Sequence, residues 1–247
     1  VNYISCHDNN TLFDHISMVK KGAQYEDITD ITKLGVAFYM AAQGIPFMQA
    51  GEEMNRSKPD ANAEGGFNEN SYNAPDRVNS IKWDSLYDQP TLEVLEYYKG
   101  LIAFRKAHPA LRMTEQAEIL SAMSALETGS NDVIAILNKG GNGENAEILT
   151  VINVGADATV TLPEGQWNVY VNADIAGTEV IETVSGSVTV SATSAMILVK
   201  AEETVEVIAE GWSGYTTWAL TSDGTLTVSP TAERWNGKCN MANYHKV

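Results

Sequence analysis

Near the start of the chain a histidine and an aspartate stand side by side, His7 and Asp8, with Asn9 and Asn10 behind them. They follow Val1, Asn2, Tyr3, Ile4, Ser5 and Cys6, which alternate weakly and are rich in strand formers. A strand that ends in an imidazole and a carboxylate offers a polar ligand a donor and an acceptor. A His-Asp pair alone is also what a capped surface turn looks like, so it gains meaning only beside other elements. A second polar group, Gln49, Gly51, Glu52 and Glu53, follows the apolar run Ile45, Pro46, Phe47 and Met48. Neighbours on a strand end project to opposite sides, so Glu52 and Glu53 do not read as two carboxyls facing one bond; they read as solvated charges or loop braces. Further on, Arg56, Tyr72, Asn73 and Asp76 fall in one long polar loop. There they can line a binding surface by stacking and hydrogen bonding, or brace the loop itself.

The elements around these residues follow from pattern. Residues 1–6 predict a strand ending in a polar loop. Residues 30–43 place Ile31, Leu34, Val36, Ala37, Phe38, Met40 and Ala41 on nearly every side of a helix, with Asp30 as N-cap and Gly44 as stop. Residues 45–49 predict a short apolar strand, and 51–79 the loop, a usual place for function. Pro90 suits the first turn of a helix with Leu92, Leu95, Tyr98, Leu101 and Ile102 on its apolar stripe, ended by His108 and Pro109.

After Leu111 the texture changes to short β-rich runs at 133–137, 148–152, 158–162, 167–171, 188–190 and 195–199, with Gly140, Gly141, Asn142 and Gly143 at an exposed tip. This predicts an antiparallel β-sandwich over 112–201. From Glu202 a further β module begins, with a hairpin of Trp218 and Leu220 against Leu226 and Val228 around a type I′ turn at Asp223 and Gly224. No closing strand follows it, so 202–247 reads as truncated. Trp212, Tyr215, Trp218, Trp235 and Tyr244 of this module read as core fillers, with a sugar-stacking platform as the alternative.

Composition narrows the function classes. The 247 residues are 44% hydrophobic and 19% charged, an ordinary globular balance. The formal net charge of -16, with no basic stripe, argues against nucleic acid and suits a neutral partner or simple solubility. Two cysteines, Cys6 and Cys239, make no disulfide framework, and no apolar run is long enough to span a membrane. His15, His108 and His245 show no metal-ligand spacing. The chain opens on Val1 rather than Met, which reads as a cut inside a longer polypeptide.

Two ordered, separated motifs carry a family resemblance. His7-Asp8 after an opening strand, and Gly44, Ile45, Pro46, Phe47, Met48, Gln49, Ala50, Gly51, Glu52, Glu53 further on, resemble the ends of the seventh and eighth barrel strands of glycoside hydrolase family 13. Asn70, Ser71, Tyr72, Asn73, Ala74, Pro75 and Asp76, then Val78, Asn79 and Trp83, match the loop and helix entry of its pullulanase-like debranching members. The resemblance covers residues 1–110, and more loosely 112–200.

It implies a multidomain fold: the C-terminal part of a catalytic (β/α)₈ TIM barrel over 1–111, an antiparallel β-sandwich over 112–201 and a partial all-β module over 202–247. It implies a secreted or cell-surface hydrolase acting on α-1,6 bonds of starch or pullulan, with an α-1,4-acting relative as the alternative, by a retaining mechanism. Asp8 is then the transition-state stabiliser and His7 a donor to the same sugar, while Arg56, Tyr72, Asn73 and Asp76 bind outer sugars. The nucleophile and acid/base lie upstream, so the chain alone is expected to be inactive and to need the missing N-terminal barrel portion as partner. No cofactor is implied; calcium is common in the family, but no oxygen cluster marks a site here. The reading from another class is a non-catalytic glycan-binding or cell-surface module, with function in 112–247.

Overall fold

A computed structural model describes residues 1–202, 206–214 and 216–230. Contacts divide the chain into two compact units, Val1–Ala201 and Glu202–Val247. Tyr215, Trp235, Cys239, Tyr244 and His245 lie outside the described residues.

In the first unit, helix α1 (Leu12–Val19) is an element the sequence did not announce; Thr11 caps it, its hydroxyl accepting from the Asp14 amide at 3.2 Å. Helix α2 (Tyr25–Ala41) begins five residues before the expected Asp30. Asp27 sets that start, accepting from the Gln24 amide at 3.0 Å, while Asp30 sits inside the helix facing Lys33. Gly44, at φ +99°, turns the chain after α2, a conformation open to glycine because it lacks a Cβ.

The two expected strands at 1–6 and 45–49 meet at one parallel bridge, Asn2 with Pro46, rather than along a ladder. Asn2 N–H donates to Ile45 at 2.8 Å and Phe47 N–H to Asn2 at 2.8 Å; Pro46 has no N–H to extend the pairing. The segments are therefore a strand–helix–strand crossover held by a single rung, with α2 as the crossover.

The loop that follows contains only short helical turns, including α3 (Asp76–Asn79). Helix α4 (Gln89–Ala107) has Pro90 in its first turn, as expected. Its buried side is Thr91, Val94, Tyr97, Tyr98, Leu101, Phe104 and Arg105. The expected stripe is thus displaced: Leu92 and Leu95 are only half-buried and Ile102 is exposed, because α4 packs against both α2 and the loop from 109 to 112. Helix α5 (Gln116–Ala122) buries no residue.

Beyond it run β1 (Met123–Leu126), β2 (Val133–Asn138), β3 (Ile148–Asn153), β4 (Ala158–Val171), β5 (Glu182–Val190) and β6 (Ser194–Lys200). They pair antiparallel as one sheet in the order β1-β2-β3-β6-β4-β5. The runs 158–162 and 167–171 are halves of one strand, interrupted by a register shift between Thr161 and Gln166 with Gly165 at φ +115°.

Strand alternation gives the sheet two buried faces. Ile148, Ile152, Ile197 and Val199 pack on α2 and α4, while Leu149, Val151, Met196 and Leu198 join Val160, Leu162, Trp167 and Val169 in a second core. The six strands thus enclose one apolar core among themselves and pack their other face on the helices, consistent with the β-sandwich module expected here. Trp167 is fully buried, its indole N–H donating to Pro163 at 2.9 Å.

In the second unit β7 (Val207–Ser213), β8 (Thr216–Thr221) and β9 (Leu226–Pro230) form an antiparallel sheet in that order. The β8–β9 connection is longer than a two-residue type I′ turn. Only Gly224 takes a positive φ, +82°, and Asp223 instead accepts from the Thr221 hydroxyl at 2.6 Å and the Thr225 amide at 2.9 Å.

Candidate active-site rim

His7 and Asp8 leave the Asn2–Pro46 rung on an exposed bend, their side chains 84% and 79% accessible and 3.5 Å apart. The rigidity of this bend comes from behind it. The Ser5 hydroxyl donates to Glu52 Oε2, and Glu52 Oε1 accepts from the hydroxyls of Tyr39 at 2.9 Å and Tyr98 at 2.7 Å. One buried carboxylate thus joins the opening segment, α2, α4 and the loop after residue 49. Burial, reinforced by the adjacent Glu52 charge, pushes both tyrosine hydroxyls far above their ordinary value, so they serve Glu52 as neutral donors.

A second brace lies on the other side. Lys58 is buried and its Nζ donates to the Asn9 carbonyl at 2.8 Å, while its backbone N–H donates to Asp14 Oδ2 at 2.8 Å. The Ser57 hydroxyl supplies Asp14 Oδ1 at 2.5 Å. Burial raises the Asp14 carboxyl above its usual range, partly offset by the Ser57 and Lys58 hydrogen bonds, and burial lowers the Lys58 ammonium, with Arg56 adding to the effect. Asn9 takes a left-handed φ of 64°, which asparagine tolerates better than most residues. His7 and Asp8 are therefore fixed from Ser5 on one side and Asn9 on the other, with their own polar atoms facing outward.

The remaining sequence-predicted residues divide. Arg56 Nη1 donates to Ala50 at 3.0 Å and Nη2 to Asn79 at 2.6 Å, so this guanidinium clamps the two ends of the loop. Tyr72, Asn73 and Asp76 are exposed on a turn that Asn79 holds by donating to Ser71 at 2.6 Å and Ala74 at 3.1 Å. Glu53 accepts from the Gly51 amide at 3.0 Å, a local bracing contact.

Sequence reasoning missed Lys58, Asp14 and Arg105. Arg105 is buried in α4 and donates to Met40 at 2.6 Å, Ala42 at 2.8 Å and Gly44 at 2.6 Å, capping the end of α2 and fixing the turn into residue 45. Their only sequence signal was a cation or carboxylate at a position the apolar pattern buries. Among the described residues no group of three or more His, Cys, Asp or Glu side chains clusters to hold a metal ion, and no helix is long and apolar enough to cross a membrane.

No protein-family model matches the chain. It is 32% identical over 126 residues to the pullulanase of Bacillus subtilis strain 168, a match spanning 51% of this chain and 16% of that protein. The solved structure of pullulanase from Bacillus acidopullulyticus superposes with a TM-score of 0.74 at 33% identity, covering 81% of this chain and 24% of that one. The chain is similar, over the part these matches cover, to pullulanase-type members of glycoside hydrolase family 13.

Pullulanase from Anoxybacillus sp. LM18-11, solved in complex with maltotetraose, superposes on this chain with a TM-score of 0.66 at 26% identity, over 81% of this chain and 27% of that one. The chain thus spans about a quarter or less of the length of these relatives.

Proposed function

We propose that the chain forms the C-terminal part of a starch- or pullulan-cleaving glycosidase, contributing the closing strands of a (β/α)₈ barrel and one side of its sugar-binding rim. The observation that carries this reading is the parallel Asn2–Pro46 rung bridged by α2, with His7 and Asp8 emerging just beyond the first segment on a bend braced from both sides. In a parallel-strand barrel, groups at the strand exits face the substrate.

Cleavage of a glycosidic bond passes through an oxocarbenium-like state between two carboxyl groups. In this reading a nucleophile and an acid/base residue supplied upstream perform the retaining displacement. Asp8 accepts hydrogen bonds from hydroxyls of the distorted sugar and favours its positive charge, and His7 donates to the same ring. Glu52 and Lys58 are positioning residues, and Arg56 holds the loop that presents Tyr72, Asn73 and Asp76 to outer sugars. The parent enzyme prefers α-1,6 over α-1,4 linkages and acts outside the cell.

A chimera tests this directly: residues 1–201 replace the matching stretch of Bacillus acidopullulyticus pullulanase, and reducing-sugar release from pullulan and amylose is measured. The chimera favours pullulan, and Asp8→Asn lowers its kcat at least ~100-fold, the scale of losing a transition-state contact. Full activity in the Asp8→Asn chimera overturns the role given to Asp8. Hydrolysis of pullulan by the isolated chain overturns the upstream placement of the paired carboxyls.

A further inference from the structure

The sheet of β7, β8 and β9 has two unlike faces, because cross-strand partners share a face and successive residues alternate. The pairings Gly211↔Trp218↔Val228 and Leu220↔Leu226 define an apolar face. There the Trp218 indole lies over Gly211 so closely that a Cβ at that position would meet Cζ2 at 2.7 Å. The opposite face carries two rows, Trp212↔Thr217↔Ser229 and Glu210↔Ala219↔Thr227. Beyond a third row, Val207↔Thr221 at the far end, the one large apolar side chain among these six residues is Trp212, 78% exposed where the pattern calls for a solvent-facing polar residue. These six residues, together with Gly211 and Trp218, border a hollow of about 480 Å³. The expectation that Trp212 fills a core is therefore corrected.

We propose that this hollow binds a neutral glycan, with the Trp212 indole as its stacking platform. An indole covers the C–H face of a sugar ring while its surroundings stay wet. The hydroxyls of Thr217, Thr227 and Ser229 can each donate and accept, and the Glu210 carboxylate accepts from sugar hydroxyls. Neither row contains Lys, Arg or His, and the chain's net charge is -16, so anionic ligands are repelled. The choice of an α-glucan as occupant rests on the enzyme reading above; the site itself rests on the sheet face.

Affinity electrophoresis of the complete chain through gels containing amylopectin tests it. The wild-type chain is retarded. Trp212→Ala raises the apparent Kd at least ~10-fold, an aromatic contact's scale, and Trp212→Phe restores part of the retardation. Because Trp212 faces solvent, Trp212→Ala leaves the circular dichroism spectrum unchanged, which separates lost binding from lost folding. Retardation of the complete chain reports Trp212, whereas kcat of the chimera, which carries this chain only to residue 201, reports Asp8, so the two readings fail separately. Equal retardation of wild type and Trp212→Ala, or no retardation of wild type, overturns the proposal, and retardation by hydroxyethylcellulose but not by amylopectin overturns the α-glucan as occupant.

Discussion

The six-stranded sheet and the loop region behind His7 and Asp8 hold their shape by opposite means. In the sheet, apolar side chains from β2 to β6 fill both faces, and each contributes area removed from water. Behind the rim, the buried groups are Ser5, Asp14, Glu52 and Lys58, each held by named hydrogen bonds. An apolar core degrades gradually as atoms are removed. A buried polar network fails more sharply, since loss of one partner strands the others without water. The scaffold tolerates variation; the rim holds geometry.

The largest effect tests the scaffold. Trp167→Ala removes a fully buried side chain from the second core and lowers unfolding free energy by about 3–5 kcal/mol in urea titration. A loss below about 1 kcal/mol would break the comparison on the sheet side. Next comes the network: Glu52→Ala leaves the Ser5, Tyr39 and Tyr98 hydroxyls without their acceptor and costs about 2–4 kcal/mol, with Glu52→Gln recovering part. In the chimera described above the same change also lowers kcat, which a purely structural loss far from the rim would not do.

Alkaline pH sharpens the contrast further. Tyr39 and Tyr98 keep their protons in the folded chain well above the free tyrosine value of 10.0, whereas the unfolded chain releases them. Their contribution is complete below pH 10 and is lost as pH rises beyond it, at about 1.4 kcal/mol per pH unit for each group. Denaturation at stepped alkaline pH therefore shows a falling stability, and Tyr98→Phe makes the slope shallower by one group. The smallest effect belongs to the outer surface: Tyr72→Ala, at an exposed position, changes stability by no more than about 0.5 kcal/mol.

These contrasts also explain what the sequence could say. Short, nearly continuous apolar runs rich in strand formers located Val133–Asn138, Ile148–Asn153 and Ser194–Lys200 to within a residue, because strand composition is written locally. Helix α1 was overlooked although Leu12, Ile16 and Val19 keep helical spacing, because eight residues make little more than two turns, and α2 was started late because Asp30 has a capping residue's identity while Asp27 does the capping. The exposed bend that carries His7 and Asp8 was legible from its place after an opening strand. Their braces were not, since Glu52 and Tyr98 stand 46 positions apart and Lys58 and Asn9 stand 49 apart, beyond any local pattern. Arg56 looked like a sugar ligand because a loop arginine has the right chemistry; only the positions of the Ala50 and Asn79 carbonyls reveal where its donors go.

The Arg105 clamp has its own consequence. Its acceptors are three peptide carbonyls, so nothing in that junction takes up a proton when the medium is acidified. The joint between α4 and the sheet is built differently, with Glu144 accepting from the Ala110 amide at 2.8 Å and lying 2.6 Å from His108 Nδ1. The helix-to-helix clamp therefore draws its acceptors from the main chain alone, so side-chain changes at positions 40 and 42 leave it in place, whereas the helix-to-sheet joint depends on the carboxylate of a single residue.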